Sequence, residues 1–335
     1  MRLAAAGAVR KETFDVHGDR IPDGLPILSV VQAPRDGTTL AAYAREHDAE
    51  IRAQLTVHGV LLFRGFEVSG VVGFHEFLQA LALAPMDYIY RSSPRTAVAG
   101  NVFTATEYPP AQEILLHNEN AYQRNWPLKL AFYCLTPAAS GGQTTIADMR
   151  RITAAIGPER VGEFEVRGVK YIRHYREHVD IPWQTVFQTN SKAELAQICE
   201  SNQIEHRWLD DSTLRTTQVC QGTARHPVTD ERFFFNQAHV FHASSLGATS
   251  HAAMIELFGS QRLPRHACFG DGGEIPLTDL EAIRAAFQAE SAAIEWRRGD
   301  VALLDNMRVA HGRHAFFGER RVLAALLDPS QRSRR

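Results

Sequence analysis

From about residue 97 to residue 327 the chain is a succession of short β-rich segments cut by glycine and proline. This texture restricts the fold more than any other feature. The segments are 97–106, 113–118, 128–135, 143–148, 215–219, 232–236, 293–295, 300–305 and 321–327. Many short strands with turn signals between them predict a sandwich or a barrel. Helices are expected ahead of them. Leu40, Tyr43, Ala44, Ile51 and Leu55 recur at helical intervals over 40–58, and Gly59 stops the run. An apolar strand at 60–63 follows, then a helix over 71–84 carrying Phe74, Phe77, Leu78 and Leu81. Further helices are expected at 192–202 and 277–292, the latter opening on a capping-box pair, Thr278 and Glu281. There is no internal repeat or low-complexity linker, so a single domain over 26–328 is expected, with loose termini at 1–25 and 329–335.

A chain of 335 residues with 44% hydrophobic content can bury a sizeable core. A net charge of −2 offers no basic field to nucleic acid or to an acidic membrane surface. Cys134, Cys199, Cys220 and Cys268 are widely spaced without a Cys-x-x-Cys pair, which reads as reduced, buried thiols in a cytoplasmic protein. No apolar run approaches the roughly 20 residues that span a bilayer. The apolar start, residues 3–9, lacks the flanks of a secretory signal.

The chemistry concentrates in His117-Asn118-Glu119 and His311. On a strand, residues i and i+2 share a face, so this imidazole and carboxylate can converge on one ion, with His311 as a third ligand. Two histidines and a carboxylate leave half of an iron's coordination positions open, the arrangement of non-haem Fe(II) oxygenases. In a chain with 15 histidines and 38 acidic residues the bare triplet is weak evidence; a surface histidine and glutamate in a turn would look the same. Two further elements strengthen it: Thr144, in Gly141-Gly142-Gln143-Thr144, and Arg321, in Glu319-Arg320-Arg321. A keto acid chelating iron needs a remote cation for its far carboxylate, and a guanidinium beside a hydroxyl provides one. A zinc-type hydrolase would leave Thr144 and Arg321 without a role.

The segment 116–122, Trp126-Pro127, Pro137, 141–144, Asp305-Asn306, His311-Gly312-Arg313 and 318–321 resemble the taurine dioxygenase superfamily of 2-oxoglutarate-dependent oxygenases. Within it they are most similar to the branch containing the syringomycin-pathway aspartate hydroxylase, which also carries stretches like 234–242 and 269–272. The resemblance implies a mainly β fold with flanking helices, a double-stranded β-helix or jelly roll of the clavaminate synthase-like kind. It implies an insert at about 150–212 near the active-site mouth. The implied cofactors are Fe(II), with 2-oxoglutarate and O2 as co-substrates, and His117, Glu119 and His311 would be the metal ligands, His311 taking precedence over His314. Arg320 and Arg321 begin a strand and must point to opposite faces; the family pattern puts Arg321 on the distal carboxylate beside Thr144, and Arg320 in solvent.

The resemblance also places Asn118, Asn120, Tyr122, Arg95, Asn236, Gln237 and Arg313 near the substrate. His239 and His242 read as structural hydrogen-bonding residues. Ala325 stands where taurine dioxygenase uses an arginine for the sulfonate, so taurine is not the expected substrate. Glu119, where related halogenases have a small residue, argues for hydroxylation or desaturation and against halogenation. The expected substrate is an amino acid or amino-acid-like unit, free or tethered to a carrier protein, in specialised-metabolite biosynthesis. Desaturation or cyclisation uses the same ligands, and a non-catalytic jelly roll binding a small molecule or metal is the alternative from another class. Assembly into homo-oligomers is left open.

Overall fold

The computed structural model describes residues 11–12, 27–35, 37–86, 90, 97–99, 102–104, 108–177 and 179–330. Its largest sheet has eight strands in the order Lys11–Glu12, Leu28–Gln32, Val60–Arg64, Val301–Asp305, Pro127–Thr136, Arg321–Pro329, Val102–Thr104 and Ala97–Ala99. The central four are almost continuously apolar because both faces of this sheet are covered. Leu61, Phe63, Ala131, Tyr133, Leu303 and Leu323 pack on a layer of helices through Leu40, Tyr43, Phe74 and Phe77. Their alternating neighbours, Leu62, Leu130, Phe132, Leu304, Val322 and Ala324, pack on the opposite side against Ile146, Ile294 and Val309. Those three belong to a second sheet, ordered Ala292–Ile294, Thr144–Asp148, Val309–Arg313 and Ile114–His117. The two sheets lie face to face as a jelly roll.

The helix expected over 40–58 is two helices, Leu40–Glu46 and Asp48–His58. The break is at His47, whose backbone leaves the helical region (φ −114°, ψ 20°) while its ring stacks on Tyr43 at 4.2 Å. Gly59 ends the second helix with φ +84°, and a Cβ there would lie 2.7 Å from Val309. The helix over Leu277–Ala289 starts before Thr278, from Pro276, without a side-chain cap, so the capping box does not form.

Residues 149–291, between the strands Thr144–Asp148 and Ala292–Ile294, carry a separate four-stranded sheet: Glu205–Trp208, Leu214–Cys220, Val169–Tyr175 and Arg265–Phe269. This unit extends well past residue 212 because Val169–Tyr175 pairs with Arg265–Phe269. Its core, including Phe164, Tyr171, Phe234, Phe269 and Ile283, is continuous with Leu116, Tyr122, Met307 and Ala310 of the jelly roll. At the far end, Pro329 still pairs with Pro127 and the Ser330 N–H donates to Trp126 O, so order persists past the expected boundary at 328. The four cysteines are buried thiols, none joined in a disulfide among the described residues. Among the described residues no helix is long and apolar enough to cross a membrane.

Candidate metal centre

His117 and His311 are direct partners across two antiparallel strands, with ring centroids 4.5 Å apart. Glu119 is not on the strand, which ends at His117; it lies in the following turn yet is only 3% exposed. One ligand atom from each of the three falls within 4.8 Å of the other two. His311 Nε2 is 3.5 Å from Glu119 Oε2. Metal bonds of about 2.1 Å are reached from there by small side-chain rotations.

The turn is held by Asn306, which the ligand triplet alone did not disclose. Its Oδ1 accepts the Glu119 N–H at 2.8 Å, and its Nδ2 donates to the carbonyls of Glu119 at 3.0 Å and Pro127 at 2.7 Å. Asn118 donates back to Asn306 O at 2.7 Å and Val309 O at 3.2 Å. His117 Nδ1 lies 2.7 Å from Leu115 O, so the proton sits on Nδ1 and the Nε2 lone pair is left for an ion. Phe132 covers His311 at 5.5 Å between centroids. Two imidazoles, that of His311 buried and that of His117 half-buried, beside a buried carboxylate suit a borderline divalent metal, and the donor set is that of a ferrous centre.

The end expected to bind a carboxylate departs from the sequence reading. Arg321 is exposed, whereas Arg320 turns inward. Its Nε donates to Gly142 O at 2.8 Å and its Nη2 lies 3.5 Å from Thr144 Oγ1. The reasoning that only one of the pair can enter holds; a register irregularity between Arg321 and Val322 selects the other one. Ala325 packs with the helix layer, while Ala324 faces the second sheet. Either way an alanine stands there, and no arginine for a sulfonate. Thr144 is 3% exposed and also accepts from Trp296 Nε1 at 2.9 Å. Burial, and next the nearby Arg313 guanidinium, pull Arg320 down to about 10, still a cation at neutral pH. Among the described residues no carboxylate lies within ion-pair distance of it. Gly142 is required here: at φ +72° its Cβ would meet Arg320 Cδ and Phe316 Cβ, each at 3.0 Å.

Most of the expected substrate residues are committed elsewhere. Asn236 bonds Gly222 O and the Ala238 N–H. Gln237 donates to Asn118 O at 2.6 Å. Tyr122 donates to Tyr90 O at 2.8 Å. Arg313 is spent on the carbonyls of Tyr108, Pro109 and Gln112. These four brace the site's backbone, and Arg95 lies outside the described residues. Asn120 differs: it is 1% exposed, in the left-handed region (φ +57°), with both amide atoms lacking a hydrogen-bond partner among the described residues. His314 contacts Gln143 Oε1 at 3.3 Å, outside the ligand cluster. His239 is structural as expected, with Nε2 3.0 Å from Leu116 O and its ring stacked on Phe287.

With this geometry in place, comparison with known proteins is informative. The profile of the family described as "Taurine catabolism dioxygenase TauD, TfdA family" matches residues 24–327. The dapdiamide synthesis protein DdaC of Enterobacter agglomerans is 40% identical over 306 residues, covering 91% of this chain and 92% of its own length. The clavaminate synthase-like protein At3g21360 of Arabidopsis thaliana is 31% identical over 278 residues, covering 80% of this chain and 81% of its own. Among solved structures, PvcB of Pseudomonas aeruginosa superposes with a TM-score of 0.55 at 16% identity, covering 98% of this chain and 94% of its own, a likeness of fold.

Proposed function

The chain belongs to the TauD, TfdA dioxygenase family, and on that premise we propose that it is an Fe(II)- and 2-oxoglutarate-dependent hydroxylase of an amino acid or amino-acid-derived unit in specialised-metabolite biosynthesis. The observation that carries this is the convergence of His117, Glu119 and His311 within 4.8 Å, on the same jelly roll as an inward-facing guanidinium that has no carboxylate partner among the described residues. DdaC is named for the synthesis of dapdiamide, and PvcB is described as an Fe, alpha-ketoglutarate dependent oxygenase from an isonitrile synthetic pathway; both names favour a biosynthetic role.

His117 Nε2, a Glu119 carboxylate oxygen and His311 would hold the iron. Bound together, Fe(II), 2-oxoglutarate and O2 supply the power to take hydrogen from an unactivated C–H bond, with release of succinate and CO2. The protein's own work is positioning. Asn306 fixes the turn that presents Glu119. Arg320 and Thr144 would receive the far carboxylate of 2-oxoglutarate through charge-assisted hydrogen bonds. Phe132 and the apolar faces around it keep bulk water off His311. Asn120, beside Glu119 in the turn, offers an unused buried amide to a polar substrate group. Residues 149–291 would form the cover of the mouth, and the substrate would enter free or carried on a peptidyl carrier protein.

Anaerobic Fe(II) with 2-oxoglutarate should give a weak visible charge-transfer band. On adding oxygen, succinate should form faster with the correct amino acid, free or carrier-bound. No band and no succinate across such substrates would leave a non-catalytic binder as the reading. Replacing Asn120 by glycine keeps the left-handed backbone and removes the amide. This change should raise the KM for the primary substrate about ten-fold or more, from the loss of a hydrogen bond to a buried group, and leave the band in place.

A further inference from the structure

A second group of metal-capable side chains lies outside the iron centre. His242 follows the short helix Ala238–Phe241, His266 sits on the strand Arg265–Phe269, and Glu274 is in the loop after that strand. One ligand atom from each lies within 4.8 Å of the others. His266 Nε2 is 3.4 Å from Glu274 Oε2, near the separation of two ligands on a tetrahedral ion with bonds of about 2.1 Å. The His242 and His266 rings are 4.6 Å apart and tilted by 49°. We propose that His242, His266 and Glu274 form a structural zinc site that ties the helix Ala238–Phe241 to the sheet of the inserted unit.

An ion pair between His266 and Glu274 alone does not account for the arrangement. It leaves a second, nearly buried imidazole packed against the first. His242 Nδ1 lies 2.8 Å from Ser244 Oγ, which also accepts from Arg284 Nη2 at 2.8 Å. The Ser244 N–H donates to that nitrogen at 3.2 Å. An ion at Nε2 would move the ring proton to Nδ1, which would then donate to the Ser244 hydroxyl, the outer-shell pattern of zinc-bound histidine. Two imidazoles and a carboxylate suit zinc, which stands above ferrous iron in divalent affinity. His251, 6.0 Å from His242 between centroids, or a water would complete four-coordination.

The location gives the ion a purpose. The same helix supplies His239 to Leu116 O, and Gln237 just before it donates to Asn118 O, the two residues that flank His117. An ion at its end would fix the segment that braces the iron ligand.

Full-length protein stripped with a chelator, dialysed against Zn(II) and assayed by elemental analysis should hold two ions per chain. His117→Ala/His311→Ala should hold one, at the new site. His266→Asn/Glu274→Gln should hold one, at the catalytic site, and after Fe(II) loading should keep the 2-oxoglutarate charge-transfer band. Glu274→Gln alone changes an exposed side chain without disturbing packing; it should weaken the second zinc by at least ten-fold, with an unchanged circular dichroism spectrum. A single ion that disappears in His117→Ala/His311→Ala, or second-site affinity unaltered in Glu274→Gln, overturns the proposal while leaving the iron centre untouched. No ion in any protein overturns both.

Discussion

Arg320 and Arg321 are neighbours with the same side chain and opposite fates. A partly buried guanidinium with only neutral acceptors, Gly142 O and Thr144 Oγ1, is poised for an anion, whereas the exposed Arg321 is already solvated. Charge-assisted hydrogen bonds are worth about 1.5–3 kcal/mol. Arg320→Ala should therefore raise the KM for 2-oxoglutarate by roughly 10- to 150-fold, and Arg321→Ala should leave it within two-fold, as read from succinate formation. Equal effects of the two changes would mean that the inward placement of Arg320 has no functional meaning. Asn306 acts through Glu119 and is a positioning residue. Asn306→Ala leaves buried backbone groups unpaired and should weaken Fe(II) binding by about 10- to 100-fold, the usual effect of losing an outer-shell partner. Its KM for 2-oxoglutarate, measured at saturating iron, should change little.

At the scale of elements, the centre depends on how closely two strands approach. Gly312 follows His311, and a Cβ there would lie 2.5 Å from Ile114 O and 2.6 Å from Thr145 Oγ1. Gly312→Ala must push the strands apart and separate the His117–His311 pair. It should cost about 1–3 kcal/mol of stability, as overpacking does, and weaken iron binding, measurable by thermal melting and Fe(II) titration. The helix Ala238–Phe241 braces the same strand from behind, and its His239 carries a pH dependence. Burial pushes His239 down to about 4, only partly offset by Leu116 O. The unfolded chain has the ordinary histidine value near 6.5, so between these values the unfolded state binds more protons. Stability should then rise with pH across about 4 to 6.5 and be lost on acidification through that window. His239→Gln should flatten that part of the urea-midpoint profile; an unchanged slope would contradict the burial argument.

For the whole molecule, the iron centre lies between two sheets whose strands come from both ends of the chain, so its ligands should stabilise the entire fold. Metal and 2-oxoglutarate at a hundred times their dissociation constants should each add about 2.7 kcal/mol, a rise in melting temperature of roughly 5 °C or more. Arg320→Ala should keep the metal's increment and lose that of 2-oxoglutarate. The strands of the jelly roll were legible because their alternation and apolar runs are local signals: 60–63, 128–135, 300–305 and 321–327 all match observed strands within a few residues. Val169–Tyr175 was not, because Arg173, 1% exposed and lying over the rings of Tyr90 and Tyr175, breaks the apolar alternation that marks a buried strand. The ligand triplet could be read because it is a motif of residue types. By itself the sequence determined that two histidines, a glutamate, a threonine and one arginine of a pair were available at these positions on a mostly β chain. Tertiary structure alone decided which arginine turned inward, which polar side chains were consumed by backbone carbonyls, and that Glu119 reached the ion from a turn. Those outcomes depend on strand irregularities and on contacts between residues nearly two hundred positions apart, which no local pattern encodes.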